Sequence, residues 1–260
     1  MYKEHRLFKT PPDNTKIWRY MDFTKFVDIL DKSKLFFPTA DKLGDPFEGS
    51  YTKAYIDYFN ANLDKIFIPE TWKLINREQA PKGFSHARKI RRKYVAISCW
   101  SMQEEESAAL WKLYCSTFNG IAIQSTIKRL KNSLINETRG VYIGKVKYID
   151  HYSNPLSDSL TDDFFPYPFL YKGKSFKFEN EVRAVTELPR LKKIDDFHGK
   201  FIFGHKGYDV TIDPSLLIEN VYLSPMSSKW QEKVVKSLLK KYGLNNNKVC
   251  PSDLNKKPVY

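Results

Sequence analysis

Residues Val95 to Thr126, VAISCWSMQEEESAALWKLYCSTFNGIAIQST, are the stretch whose reading decides the fold. The run Val95-Ala96-Ile97-Ser98-Cys99-Trp100 has the length and apolar character of a buried strand. Ser101-Met102-Gln103-Glu104 carries the S-x-x-E spacing of a helix capping box, which places Glu104, Glu105 and Glu106 in a first turn that the helix dipole favours. Ala108, Trp111 and Cys115, with Leu110 and Tyr114 beside them, form an apolar stripe at helical spacing. Asn119-Gly120 then stops the helix, and Ile121-Ala122-Ile123 opens a second strand. The unit is strand, helix, strand, with aromatic and hydroxyl side chains at its joints.

Working outward toward the N-terminus, Ile17-Trp18-Arg19-Tyr20 reads as a first short strand. Asp22 or Thr24 can cap a helix with Phe23, Phe26, Val27 and Leu30 on its apolar face. Leu35-Phe36-Phe37 is a second short strand that Pro38 ends. The segment from Ala40 to Gly49, ADKLGDPFEG, is a turn-rich loop with two carboxylates, Asp45 and Glu48, around a proline. Asp-Pro explains Asp45 as a turn initiator and leaves Glu48 without a local reason. Residues 51–68 carry a helical pattern, and 69–83 read as irregular.

Toward the C-terminus, Thr126 caps a helix through Leu134, and Gly140 to Ile149 alternates as a half-buried strand does. Residues 150–171 are proline-rich and loop-like. From Phe178 onward, alternation places Glu179, Glu181 and Arg183 on one face of a strand, as a solvated edge or an active-site wall. Tyr208 to Ile212 and Ile218 to Leu223 are further strands; Ser227 or Ser228 caps a helix to Tyr242, and a strand near Lys248-Val249-Cys250 closes the pattern. These elements define an α+β fold over residues 1–260 as a single domain, with mixed or antiparallel central sheets, flanking helices, an irregular insertion near 67–92 and a long loop near 150–172.

Composition narrows the partners. The 260 residues carry 43 Lys+Arg against 30 Asp+Glu, a formal charge of +13, which suits an anionic partner such as nucleic acid. The densest basic run, His86 to Lys93, offers Arg88, Arg91 and Arg92 as phosphate contacts or as a solvated helix face. Three cysteines are too few and too scattered for a disulfide framework or a zinc site, and neither CxxC nor HExxH occurs. No apolar run has membrane-spanning length and no signal peptide is read, so the expectation is a cytoplasmic protein with no structural cofactor.

The ordered motifs WRY, LGDPFEG, ISCWS, WKLY, NGIAI and KFENEVR, from Trp18 to Leu254, resemble an uncharacterised bacterial domain-of-unknown-function family with a DPFEG loop, found among abortive-infection (phage-defence) genes. In layout the chain also resembles the mono-ADP-ribosyltransferases. That resemblance implies an ADP-ribosyltransferase-like fold with NAD as substrate. It implies that Arg19 and Tyr20 on the early strand bind the cofactor, Arg19 pairing with the pyrophosphate through its planar fork. Ser98 or Ser101 would orient the nicotinamide ribose, with Trp100 or Tyr114 stacking on a flat ring. Glu181 would hold the ribose hydroxyl and stabilise the oxocarbenium-like transition state, and Glu179 would address the acceptor. The middle motif reads Ser-Cys-Trp-Ser, and Arg183 stands two residues after Glu181 as an ion-pair partner.

Local chemistry gives competing explanations. The capping box accounts for Ser101, which makes Ser98 the better catalytic-site residue, and helical spacing assigns Trp111 and Tyr114 to the core. Two alternatives stand beside the transferase: a magnesium-dependent nuclease built on Asp45, Glu48, Glu179 and Glu181, and a non-enzymatic nucleic-acid-binding module. Four converging carboxylates without a nearby arginine would favour the nuclease. A cleft holding Arg19, Glu181 and an aromatic ring would favour NAD.

Overall fold

A computed structural model describes residues 1–62, 80–115, 118–153, 167–189 and 206–259. In chain order the elements are β1 (Lys16–Asp22), α1 (Phe23–Lys32), β2 (Lys34–Pro38), α2 (Lys53–Ala61), α3 (Ala80–Arg91), β3 (Val95–Ser101), α4 (Ala108–Tyr114), β4 (Gly120–Thr126) and α5 (Ile127–Ser133). They continue with β5 (Val141–Lys145), β6 (Lys147–Ile149), β7 (Tyr171–Gly173), β8 (Glu181–Glu187), β9 (Gly207–Thr211), α6 (Pro214–Leu217), β10 (Asn220–Leu223), α7 (Lys229–Lys241) and β11 (Val249–Cys250). The fold is α+β.

The main sheet has the order β11-β10-β4-β1-β3-β8-β5. Every neighbouring pair in it runs antiparallel except β10 with β11. Two small ribbons, β2 with β9 and β6 with β7, lie outside it. One seam differs from the rest. β1 pairs with β4 along its whole length, from Lys16↔Thr126 to Asp22↔Gly120, yet it meets β3 at Trp18↔Ser101 alone. β3 in turn pairs with β8 from Val95↔Glu187 to Ser101↔Glu181.

Strand alternation sends side chains into separate cores. On one face Ile17, Met21, Ile121, Ile123, Val182 and Ala184 join Phe26, Ile29 and Leu30 of α1, Leu130 of α5 and Val235 and Leu239 of α7. The opposite face is covered by two smaller clusters. Val95, Ile97 and Val185 pack with Phe8, Phe169 and Leu170, while Trp18, Tyr20 and Ala122 pack with Leu110 and Trp111 of α4. The loosely joined β1–β3 seam runs between those two clusters, so the sheet is left open there.

Several expectations are corrected. Ser101 does not cap a helix: it ends β3, and its hydroxyl donates to the Glu179 carbonyl at 2.6 Å. Ladder bonds to both neighbouring strands outweigh the local capping signal. The helix starts at Ala108, where the Ser107 hydroxyl oxygen accepts from the Leu110 N–H. Glu106 lies outside the helix, accepting from the Trp111 indole N–H at 2.7 Å and from the Ser252 hydroxyl at 2.7 Å. The insertion near 67–92 is helical from Ala80 to Arg91, which corrects the irregular reading there; residues 63–79 lie outside the described set. The run from Gly140 to Ile149 is two strands in different sheets, broken at Val146. The long loop near 150–172 ends in a 3-10 turn, Tyr167–Leu170, followed by β7, and residues 154–166 lie outside the described set. Finally, β8 begins at Glu181: Glu179 closes a 3-10 turn, Lys174–Glu179, and Asn180 takes a left-handed φ of 42°.

Candidate active site

A cleft of roughly 570 Å³ occupies the open seam, a size suited to a small ligand. Its walls come from β1 (Trp18, Arg19, Tyr20), β3 (Cys99, Trp100, Ser101), α4 (Leu110, Leu113, Tyr114), the Asp45–Glu48 loop, and Lys172, Phe176, Glu179 and Glu181. Trp100 belongs to the core on one face of the sheet, and Trp18 and Leu110 to a core on the other. One cavity reaches side chains from both faces because β1 and β3 are not zipped together.

On the β1 side, Arg19 bridges the seam. One terminal nitrogen donates to the Ser98 hydroxyl oxygen, the other donates to the Phe36 carbonyl at 3.3 Å, and the guanidinium lies 5.8 Å from the Trp100 ring centroid. No carboxylate pairs with Arg19 among the described residues. Burial pushes its guanidinium down to about 10, so it stays cationic at neutral pH. A half-buried cation without a counter-charge is an electrostatic demand for an anion. Ser98 is fully buried and outside the cleft lining; its oxygen also accepts from the Trp100 indole N–H at 3.0 Å. Ser98 thus braces the arginine and the indole instead of facing a ligand. Tyr20 lines the cleft but is tied down, accepting from the Ser107 N–H at 2.8 Å, and burial raises its phenol far above its ordinary range.

On the β8 side stands a buried charge cluster. Arg183, fully buried, donates to both oxygens of Glu48 at 2.6 and 2.7 Å, a bidentate pairing. It donates as well to Glu181 at 2.9 and 3.2 Å and to the Phe169 carbonyl at 2.6 Å. Lys172 donates to Glu181 at 2.9 Å and to Glu179, whose other oxygen accepts from the Tyr114 hydroxyl at 2.9 Å. Burial by itself would raise the Glu181 carboxyl, but Arg183 and Lys172 outweigh it and hold it down at about 2. For Glu48 the balance reverses: desolvation wins over Arg183 and leaves it above its ordinary value. Glu181 is therefore ionised at neutral pH. Cys99 is pushed well above its ordinary range by burial and by Glu181, which leaves it no thiolate character.

The Asp45–Glu48 loop now has a geometric purpose. An Asp45 carboxylate oxygen accepts from the Phe47 N–H at 2.9 Å, which makes the turn, as Asp-Pro suggests. Glu48 is delivered to Arg183. Gly49 follows with φ of 71°, and a Cβ there would stand 2.3 Å from Cε1 of Phe169, so only glycine permits this path.

Arg88, Arg91 and Arg92 lie outside this cleft. Arg88 is stacked over Tyr51, Tyr55 and Phe59 of the α2 region, 5.2, 5.6 and 4.6 Å from the ring centroids. Its guanidinium is spent on packing, and burial lowers it. Arg92 donates to the Pro46 carbonyl at 3.3 Å, behind the Asp45–Glu48 turn.

Lys172 is the residue that sequence reasoning did not single out. Seven and nine positions from Glu179 and Glu181, it reaches them only because the 3-10 turn folds back and β7 pairs with β6, in a register that sets Tyr148 opposite Lys172. No spacing rule for a strand or a helix encodes that contact. Among the described residues no group of three or more His, Cys, Asp or Glu side chains is placed to hold a metal ion. The carboxylates proposed for a nuclease bond to Arg183 and Lys172, and Asp45 caps its own turn.

Comparison with solved structures finds two of DarT from Thermus sp. 2.9 to which the chain is similar at low identity. The complex with ADP-ribosylated ssDNA is 10% identical with a TM-score of 0.40, covering 96% of this chain and 100% of that one. The complex with NAD+ is 9% identical with a TM-score of 0.39, covering 95% and 100%. No protein-family model matches the chain, and no curated protein matches it. No helix among the described residues is long and apolar enough to cross a membrane.

Proposed function

We propose that the chain is an NAD-consuming enzyme of the ADP-ribosyltransferase type, modifying a nucleic acid or protein acceptor in the cytoplasm, in a phage-defence setting. The observation that carries this reading is one cleft lined by Arg19, a cation without a counter-charge among the described residues, by an ionised carboxylate, Glu181, and by the rings of Trp100 and Tyr114. Arg19 and Glu181 stand on β1 and β8, on either side of β3, so a ligand that uses both must span the seam. A dinucleotide with an anionic centre and two flat bases has that chemistry.

In the reaction, the bond between the nicotinamide nitrogen and ribose C1′ breaks, and nicotinamide leaves neutral with the bonding pair. The ribose takes up the positive charge, which the Glu181 carboxylate stabilises in a water-poor site. An acceptor nucleophile attacks C1′ and gives up its proton toward Glu179. Arg19 holds the pyrophosphate. Ser98 acts through Arg19 and Trp100, and Ser101 fixes the Glu179 backbone. Arg183 and Glu48 keep Glu181 in place from behind.

The test is to incubate the protein with NAD, with and without single-stranded DNA, RNA or a protein mixture, and to quantify free nicotinamide by chromatography. Glu181→Gln should reduce release by about 100-fold or more while circular dichroism remains that of the wild type. Absence of nicotinamide with every acceptor would sink the proposal.

A further inference from the structure

Within the charge cluster Lys172 is the cation that reaches both glutamates of the cleft, Glu179 and Glu181. The residue is 7% exposed, and its ammonium donates to Glu179 and Glu181 together, with the Phe176 ring 4.8 Å away. From Tyr114 the chain of hydrogen bonds runs unbroken through Glu179, Lys172, Glu181 and Arg183 to Glu48. Three carboxylates face two cations in it. Two carboxylates so close repel each other when both are charged, and a shared cation is the direct way to seat them together.

We propose that Lys172 is a positioning residue for the transferase: its ammonium clamps Glu179 and Glu181 side by side and offsets their charge. The inference rests on the transferase reading for its catalytic consequence, though not for its electrostatic one. Arg183 of β8 and Lys172 of β7 face Glu181 as cations, and Glu48 faces it through Arg183. Tyr148 of β6 accepts from the Glu181 N–H at 2.7 Å, Cys99 of β3 lies beside the carboxylate, and Tyr114 of α4 donates to Glu179. Of these groups, Lys172 alone bonds both carboxylates, so its removal has a signature that loss of packing does not reproduce.

That signature is a titration. With 13C-labelled glutamate, the Glu181 carboxyl resonance, assigned by its loss in Glu181→Gln, is followed against pH in the wild type, Lys172→Met and Lys172→Arg. Removing an opposite charge at hydrogen-bond distance should move the Glu181 midpoint up by about one to three pH units in Lys172→Met, and Lys172→Arg should keep it near the wild type. The acid limb of kcat for nicotinamide release should move by the same amount. Should Lys172→Met fail to fold, the Lys172→Met/Glu179→Gln double variant is titrated against Glu179→Gln alone, a comparison that isolates the loss of the ammonium and should again show an upward shift. An unmoved Glu181 midpoint overturns the clamp. A shifted midpoint in a protein that releases no nicotinamide supports the clamp and overturns the transferase reading instead.

Discussion

The two seams on either side of β3 are built in opposite ways. Toward β8, seven residue pairs zip the strands from Val95↔Glu187 to Ser101↔Glu181, and the charges at the end of that seam satisfy one another: Arg183 with Glu48 and Glu181, Lys172 with Glu179 and Glu181. Toward β1 the strands meet at Trp18↔Ser101, and the cation there, Arg19, finds a hydroxyl and a carbonyl but no carboxylate among the described residues. A closed seam with matched charges reads as architecture. An open seam with an unmatched charge reads as a place kept for something else. The difference teaches that burial and pairing, more than residue type, separate the charges that hold this fold from the charge offered to a ligand.

Substitutions on the two sides should therefore behave differently, and the largest effect belongs to the closed side. Arg183→Met leaves Glu48 and Glu181 buried with Lys172 as their one neighbouring cation, and should lower unfolding free energy at pH 7 by about 3–5 kcal/mol in denaturant titrations. The pH dependence has a definite sign. In the wild type Glu181 is depressed from 4.5 to about 2, so its contribution is present above pH 4.5 and lost as pH falls toward 2. Without Arg183 the carboxyls titrate higher and take up protons on acidification, so the gap between variant and wild type should narrow from pH 7 to pH 4. A gap that widens in that range contradicts the buried-pair account.

Gly49→Ala should come next. The left-handed backbone costs about 1–2 kcal/mol for a residue with a Cβ, and the collision with Phe169 adds about 1–3 kcal/mol of overpacking. Because Phe169 also offers its carbonyl to Arg183, the loss should be smaller in an Arg183→Met background, which a double-mutant cycle measures. Additivity would mean that the Asp45–Glu48 turn and the charge cluster are independent.

Arg19→Met should give the smallest change in stability. It removes a half-buried cation with no ion pair among the described residues, so the unfolding midpoint should stay level or rise. Its effect should surface in function: KM for NAD up by about 10- to 100-fold, the loss expected for hydrogen bonds to a charged group. A large drop in stability with unchanged KM would make Arg19 part of the architecture and dissolve the contrast between the seams.

Much of the fold was legible because local rules were allowed to operate. Short apolar runs located β1, β3 and β4, alternation found β8 though it set the start three residues early, and capping chemistry placed Thr126 and the Ser227-Ser228 pair at helix starts, Ser228 being the cap. The capping box at Ser101 misled because a central strand already claimed that backbone. The site was legible in its residue types only. Arg19, Trp100, Glu179 and Glu181 come together in one cleft, while Ser98 stands behind it and Arg88 is stacked on rings that its own run does not contain.

By itself the sequence determined the α+β class, the positions of most strands and the identity of the charged side chains, since these follow from periods of two and 3.6 residues and from turn chemistry. The tertiary structure alone decided which charges are matched. Glu48 meets Arg183 across 135 positions, Lys172 reaches two glutamates through a 3-10 turn and a parallel ribbon, and Arg19 meets no carboxylate among the described residues at an open seam. Charge pairing depends on distance and desolvation in three dimensions, and neither quantity is a function of spacing along the chain.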